Sequence, residues 1–425
     1  MALVKKPMTG MRDIMPEEMR IRDYVIGVIK ETYGKFGFCP IETPCVENIG
    51  NLTSRQGGDN EKLIFKILKR GEKLNVQDAA TEEDVVDGGL RYDLTVPLVR
   101  YYSNNAAQLP APFKALQIGN VWRADRPQRG RYRQFMQCDI DILGEPSNLA
   151  EIELILATTT TLGRLGFGGF KIRINDRRIL KAMALGSGFA EGDCESVFIT
   201  LDKMDKIGME GVQKELLGNG FAGETVEKYL GLYQGLEQAG DPLAYLAGAL
   251  GDVLDSSVTE GLREIMDSVN ATRASRFEIV FDATLVRGMS YYTGTIFEIA
   301  IPEFGGSCGG GGRYDGMVGR FTGRDVPACG FSIGFERIIL LLVESGFQVP
   351  HRPRKIAYLV EKGVAGGALC DVVAQAQARR EEGNQVLVVR MNKNKKFQKE
   401  QLTAEGYEEF VDVYREALQN PPPGQ

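Results

Sequence analysis

Apolar and polar positions divide the chain into a long stretch of mixed helix and strand signals, broken by a helical middle, and a short α/β tail. Ile21, Tyr24, Val25, Val28 and Ile29 recur at helical spacing in "EEMRIRDYVIGVIKETY", and Pro16 suits the start of that helix. The following "FGFCPIETPCVEN" is extended. It carries Pro40 and Pro44, and because proline donates nothing to a ladder it predicts an edge or interface strand. "EKLIFKILK" fits a strand or a short helix, while "LRYDLTVPLVRYYSNN" starts extended and turns helical after Thr95 or Pro97. "FKALQIGNVWRA" and "RYRQFMQCDIDILG" flank "DRPQRG", which predicts an antiparallel pair around a turn. "NLAEIELILATTTTLGRLG" reads as an amphipathic helix and "GFKIRIND" as a strand. Residues 177–274, with segments such as "VEKYLGLYQGLEQAG", predict a mostly helical insertion. Strand signals return in "SRFEIVF" and "GTIFEIAI", and "ACGFSIGFERIILLLVESG" runs from strand into apolar helix. Residues 347–355 read as a linker around "PHRPRK", and 356–425 as a compact strand–helix–strand unit with a frayed "QNPPPGQ" end.

A chain of 425 residues holds two or three domains, and 43% hydrophobic with 25% charged residues suits a globular protein. There is no apolar run of about 18 residues, which argues against a membrane span. "MALVKKPMTGMRD" lacks an apolar signal core, so a cytoplasmic location is expected. The 7 cysteines are scattered and never form C-x-x-C, which argues against a disulfide framework or a zinc cluster and leaves any metal ligands unknown. His351 is the only histidine and lies in the linker, so chemistry must rest on carboxylates, tyrosines or fixed charge. A net charge of -6 excludes coating nucleic acid by bulk charge, but it leaves room for a local basic patch.

Such a patch exists. Arg123, Arg126, Arg129, Arg131 and Arg133 crowd one turn, either as a solvated charge run or as a site. Alternation along "RYRQF" puts Arg131, Arg133 and Phe135 on one face, suited to a polyphosphate beside a stacked purine. Arg123 can join them from the partner strand, with Trp122 turned into the core. Gln137, Asp139 and Asp141 continue the face of Phe135. The strand could thus hold phosphate at one end and a cationic small molecule at the other, unless the two acids merely pair with nearby arginines. "RGMSYYTGTIFE" supplies Arg287, Tyr291 and Tyr292. The glycine cluster "GGSCGGGGRYDG" has no G-K-[ST] end and is either a flexible loop or backbone that approaches a ligand closely. Gly330 and Gly334 flank a strand that delivers Glu336 and Arg337 to a helix start.

In this order the segments resemble the three motifs of class II aminoacyl-tRNA synthetases. "LVRGMSYYTGTIFE" and "GGGGRYDGMV" look like the two peptides distinctive of histidyl-tRNA synthetases, and "LRYDLTVPLVR" and "RPQRGRYRQFMQCDIDILG" are similar to that family too. The resemblance spans roughly residues 9–345. It implies an α+β fold: a six-stranded antiparallel sheet flanked by helices over 1–176 and 275–346, the helical insertion, and a small C-terminal anticodon-binding-like α/β domain. It implies a homodimer and a histidine–tRNA ligase that uses ATP and Mg²⁺ to make histidyl-adenylate and charge tRNA(His). On this resemblance Arg123, Asp125, Arg131, Phe135 and Arg337 would bind ATP, with Phe135 stacked on adenine. Asp93 and Thr95 would take the histidine ammonium, with Gln137 on the carboxylate side. Asp141, Tyr291 and Tyr292 would line the imidazole pocket, and Arg287 would be a second catalytic cation beside the α-phosphate. Arg126 and Gln128 would meet the tRNA acceptor end. Ser290, the shorter acid Asp93 and the abbreviated C-terminal unit depart from the family pattern. The alternative is the histidine-binding paralogue that regulates ATP phosphoribosyltransferase, which has lost catalytic residues. The presence of Arg123, Arg287 and Arg337 favours the ligase.

Overall fold

The two longest alternating segments become neighbouring strands in the computed structural model, which describes residues 3–53, 61–286 and 291–415. Residues up to Phe347 form one unit and those from Gln348 a second. In chain order the strands of the first unit are β1 (Cys39–Ile41), β2 (Val46–Asn48), β3 (Lys66–Leu68), β4 (Val86–Leu90), β5 (Phe113–Trp122), β6 (Gln134–Leu143), β7 (Phe170–Asp176), β8 (Phe277–Phe281), β9 (Thr295–Ile301), β10 (Gly306–Arg313) and β11 (Ala328–Ile333). The main sheet runs β1-β5-β6-β11-β10-β9-β7-β8, and a small sheet runs β2-β4-β3.

The expectation of six antiparallel strands needs correction, because the main sheet has 8 strands. Its inner members from β5 to β7 pair antiparallel, while β1 joins β5 and β8 joins β7 in parallel. Both additions have local causes. Pro40 confines β1 to an edge. A parallel neighbour needs a long crossover, and the chain between β7 and β8 supplies one through helices that run from α5 (Arg177–Ser187) to α10 (Ser256–Thr272).

Helix α1 (Pro16–Lys35) opens with Pro16 in its first turn and Glu17 and Glu18 against the helix dipole. It buries Ile21, Val25, Val28, Ile29 and Tyr33 against α4 (Leu149–Arg164) and α12 (Phe335–Glu344). Besides α5 to α10, the helices between them in sequence are α2 (Ile49–Thr53), α3 (Thr95–Asn105) and α11 (Gly316–Thr322). Leu98 and Val99 of α3 meet Phe113, Leu143, Tyr314 and Val318 in one buried cluster. That cluster seats the start of α3 against the end of the sheet that carries the acids described below.

The second unit holds a parallel sheet in the order β13-β12-β14, built from β12 (Lys355–Val360), β13 (Gln385–Arg390) and β14 (Glu409–Val413). Its helices are α13 (Gly366–Glu381) and α14 (Lys395–Ala404). Successive residues of β12 feed opposite cores: Ile356, Tyr358 and Val360 pack on one side, Ala357 and Leu359 on the other with Leu402 and Tyr407. A central strand covered on both faces accounts for its unbroken apolar run. Among the described residues no helix is long and apolar enough to cross a membrane.

Candidate functional site

A cavity of about 390 Å³ lies along β6, β9, β10 and β11, within the size range of small-molecule sites. Strand alternation builds its floor: Phe135, Gln137, Asp139 and Asp141 of β6 all line it. On β11, Ser332 pairs in register with Asp139, and Gly330 with Asp141. A Cβ at Gly330 would lie 2.0 Å from Asp141 Oδ1, and one at Gly311 would lie 1.9 Å from the Gly330 carbonyl oxygen. The glycine cluster is therefore largely a strand, β10, and not a flexible loop. Its Gly310 and Gly311 form cavity wall because side chains there would collide with neighbouring strands.

One end is cationic. Arg123, Arg131 and Arg337 line it with Phe135 and Asp125. The Arg123 guanidinium lies 5.2 Å from the Phe135 ring centroid, and its Nε donates to the Tyr92 carbonyl at 2.8 Å. Arg337, in the first turn of α12, donates to the Ser307 carbonyl and sits over the Phe304 ring at 5.3 Å. Arg131 lies 3.7 Å from the Asp125 carboxylate. The turn closes through reciprocal backbone bonds between Gln128 and Arg131 at 3.1 and 2.9 Å, and Gly130 takes φ +69° there.

This turn alters two expectations. Regular strand begins only at Gln134, so alternation does not extend back to Arg133, whose Nε instead donates to the Asp125 carbonyl at 3.1 Å. Trp122 is not core: it is half-buried, and its Nε1 donates to Gln134 Oε1 at 3.3 Å on the exposed side of the hairpin. Arg126 and Gln128 are exposed on the turn, away from the cavity wall. Arg287 and Ser290 lie outside the described residues.

The other end is acidic. Asp93, Thr95, Gln137, Asp141, Tyr291 and Tyr292 meet there. Asp93 is held at the start of α3 by accepting from the Val96 amide at 3.1 Å. Asp141 Oδ1 accepts from the Tyr314 hydroxyl at 2.6 Å. The Tyr291 ring lies 4.9 Å from Tyr292 and 5.9 Å from Tyr314, each near edge-on. Neither Asp139 nor Asp141 forms an ion pair with an arginine among the described residues.

Burial raises the carboxyl pKa of Asp93, Asp139 and Asp141. For Asp139 the result is about 7, with burial the largest cause, a Ser332 hydrogen bond opposing it and the Asp93 charge adding to it. Asp93 Oδ2, Gln137 Oε1 and Asp141 Oδ2 are buried acceptors without protein donors. Clustered acids and unused acceptors favour a ligand that brings positive charge and several N–H donors.

Three wall residues escaped the sequence reading as site groups. Tyr314 sits in the quoted "GGGGRYDG" but gains meaning only from its bond to Asp141. Glu298 could have been found as a lone charge in the apolar strand "TIFEIAI"; it is buried, and Arg173 reaches it at 3.2 Å. Glu336 accepts from Arg22 at 2.7 and 2.8 Å and from the Met136 amide at 3.1 Å. Burial pulls its carboxyl upward, but Arg22 outweighs that and the net shift is downward.

Residues 10–338 match the family model described as histidyl-tRNA synthetase. A histidine–tRNA ligase of Leifsonia xyli subsp. xyli is 44% identical over 96% of this chain and 95% of its own. One from Aeropyrum pernix is 38% identical over 80% of this chain and 75% of its own. The crystal structure of histidyl-tRNA synthetase from Nostoc sp. PCC 7120 superposes with a TM-score of 0.77 at 25% identity, covering 98% of this chain and 94% of that one. A Bacillus halodurans structure titled as an ATP phosphoribosyltransferase regulatory subunit/histidyl-tRNA synthetase also reaches 0.77, but at 19% identity it shows the fold alone.

Proposed function

The chain belongs to the histidyl-tRNA synthetase family, and on that premise we propose how its residues join histidine to tRNA(His). The observation that carries the reading is the polarity of one cavity, with guanidinium groups over an aromatic ring at one end and buried acceptors at the other. The regulatory paralogue is not favoured, since close relatives across nearly the whole chain are ligases.

ATP lies at the Arg123–Phe135–Arg337 end, its adenine on Phe135 and its phosphates on the guanidinium groups and near Arg131. Histidine lies at the acidic end, its ammonium toward Asp93 and Thr95 and its imidazole among Asp141, Tyr291 and Tyr292, with Gln137 between the ends. One carboxylate oxygen of histidine attacks the α-phosphorus, and the bond to the bridging oxygen breaks to release pyrophosphate. The step brings anions together and needs little proton transfer, so fixed cations are the main catalytic demand. Arg123 and Arg337, joined by Arg287 on the family resemblance, supply them. The 3′-terminal ribose hydroxyl of tRNA(His) then attacks the acyl carbon of the adenylate, and AMP leaves. Arg126 and Gln128, exposed on the motif turn, face the incoming acceptor end.

Mg²⁺ belongs to the family's chemistry. Among the described residues no group of three or more His, Cys, Asp or Glu side chains could hold a metal unaided. An ion borne on a triphosphate needs only one or two protein carboxylates, and Asp125 on the cavity wall would meet that demand. When bound, it supplies neutralisation of phosphate charge.

The proposal extends to the assembly. The helical residues 177–274 are an insertion in the catalytic domain, and the C-terminal unit is an anticodon-binding domain. The protein is a cytoplasmic homodimer; exposed Leu3, Val4, Met8 and Met15 ahead of α1 offer apolar surface to a second copy.

Histidine-dependent exchange of pyrophosphate into ATP tests the reading. Exchange is expected with the full chain and is expected to collapse in Arg287→Ala. Histidine binding without exchange would sink the ligase assignment.

A further inference from the structure

Asp139 has no part in the roles assigned above, yet it occupies the centre of the cavity floor at 5% exposure. Its oxygens accept from Gln137 Nε2 at 3.0 and 3.3 Å. The same Nε2 lies 3.5 Å from Ser332 Oγ, on the strand that pairs with Asp139. An amide side chain has donors at one end only. With its donors engaged by a carboxylate, Gln137, which lines the cavity, leaves Oε1 buried and without a protein donor. With Asp139 ionised, the flipped amide would set Oε1 against its carboxylate, acceptor against acceptor. On the far side, the register partner Gln117 is committed elsewhere, donating to the Leu94 carbonyl at 3.0 Å.

We infer that Asp139 is a positioning residue that locks the Gln137 amide with its oxygen toward the substrate, so that Gln137 accepts from the histidine ammonium and does not donate to the carboxylate. This rests on the cavity being the histidine site. It adds an acceptor for the ammonium beside Asp93 and Thr95, and it gives the strand's middle acid a function the neighbouring residues do not share. A ligand that keeps the ammonium depends on Asp139, whereas one that keeps only the carboxylate does not.

Two fragments of histidine separate these cases. Histidinol has the ammonium without the carboxylate, and imidazolepropionate has the carboxylate without the ammonium. Their affinities for the full chain are measured calorimetrically at pH 8, above the Asp139 value of about 7. Asp139→Asn, close in shape, is expected to weaken histidinol about tenfold, as loss of a charge-assisted bond implies, and to move imidazolepropionate less than twofold. In a Gln137→Ala background Asp139→Asn is expected to add nothing. Equal weakening of both fragments, no change in either, or a loss confined to imidazolepropionate overturns the inference. So does a histidinol effect that persists without Gln137, since Asp139 would then act through its own charge. If Asp139→Asn fails to fold, Asp139→Ser carries the same comparison. Wild-type protein that binds neither histidine nor histidinol overturns the site reading itself, and this inference with it.

Discussion

Single side chains set the character of the acidic pocket. The Tyr314 hydroxyl is the only protein donor to Asp141 among the described residues, and both groups are buried. Tyr314→Phe leaves both Asp141 oxygens bare. We expect the KM for histidine to rise about tenfold with the KM for ATP little changed, as pyrophosphate exchange at varied substrate would reveal. The acids also predict a pH dependence. In the unfolded chain aspartates lose their protons near pH 4, whereas in the folded protein burial raises Asp93, Asp139 and Asp141, Asp139 to about 7. The folded state therefore holds more protons across that interval, and the free protein loses stability as pH rises from about 4 to about 7. Melting temperature recorded from pH 5 to pH 8 should fall with pH, and Asp139→Asn should flatten the slope. A slope unchanged by that substitution would assign the effect elsewhere.

At the scale of elements, buried charges tie helices to the strand that carries the site. Arg22 of α1 grips Glu336 of α12, and Glu336 also accepts from the amide of Met136, between Phe135 and Gln137. Removing one partner strands the other charge, so Arg22→Met should cost about 3–5 kcal/mol in a denaturant titration. The double variant Arg22→Met, Glu336→Leu should recover much of that loss. The strand β10 is equally exacting. Gly311→Ala would push a methyl into the Gly330 carbonyl and part β10 from β11. It should abolish histidine binding, whereas Gly305→Ala, outside the strand, should spare binding with a smaller loss from its φ of +70°.

At the scale of the whole molecule, charge near α14 belongs to a unit with its own core. Lys395 and Lys399 both reach Asp412, at 3.0 and 2.9 Å, so their charge is partly spent within the unit. Lys393 and Lys396 lie nearby and are exposed. Reversing both to glutamate should leave pyrophosphate exchange within twofold of wild type and lower kcat/KM for tRNA about tenfold, since phosphate contacts dominate nucleic-acid affinity. Equal loss in both assays would point to damage transmitted to the catalytic unit.

Local pattern alone determined much of this protein. Period-two alternation located β5, β6 and the cavity floor from Phe135 to Asp141, because neighbours on one strand face are decided by backbone geometry. Motif order carried the family, and helical spacing carried α1 and the segment 177–274. Tertiary structure decided the rest. The glycine cluster became a strand because two flanking strands leave no room for side chains. Arg133 and Trp122 left their expected faces because the turn runs on to Gln134. The parallel edge strands depend on where the crossover returns. Arg22 meets Glu336 across 314 positions of sequence, and Tyr314 meets Asp141 across 173. No local pattern encodes such pairs, since burying two polar groups together is worthwhile only once the fold has excluded water from both.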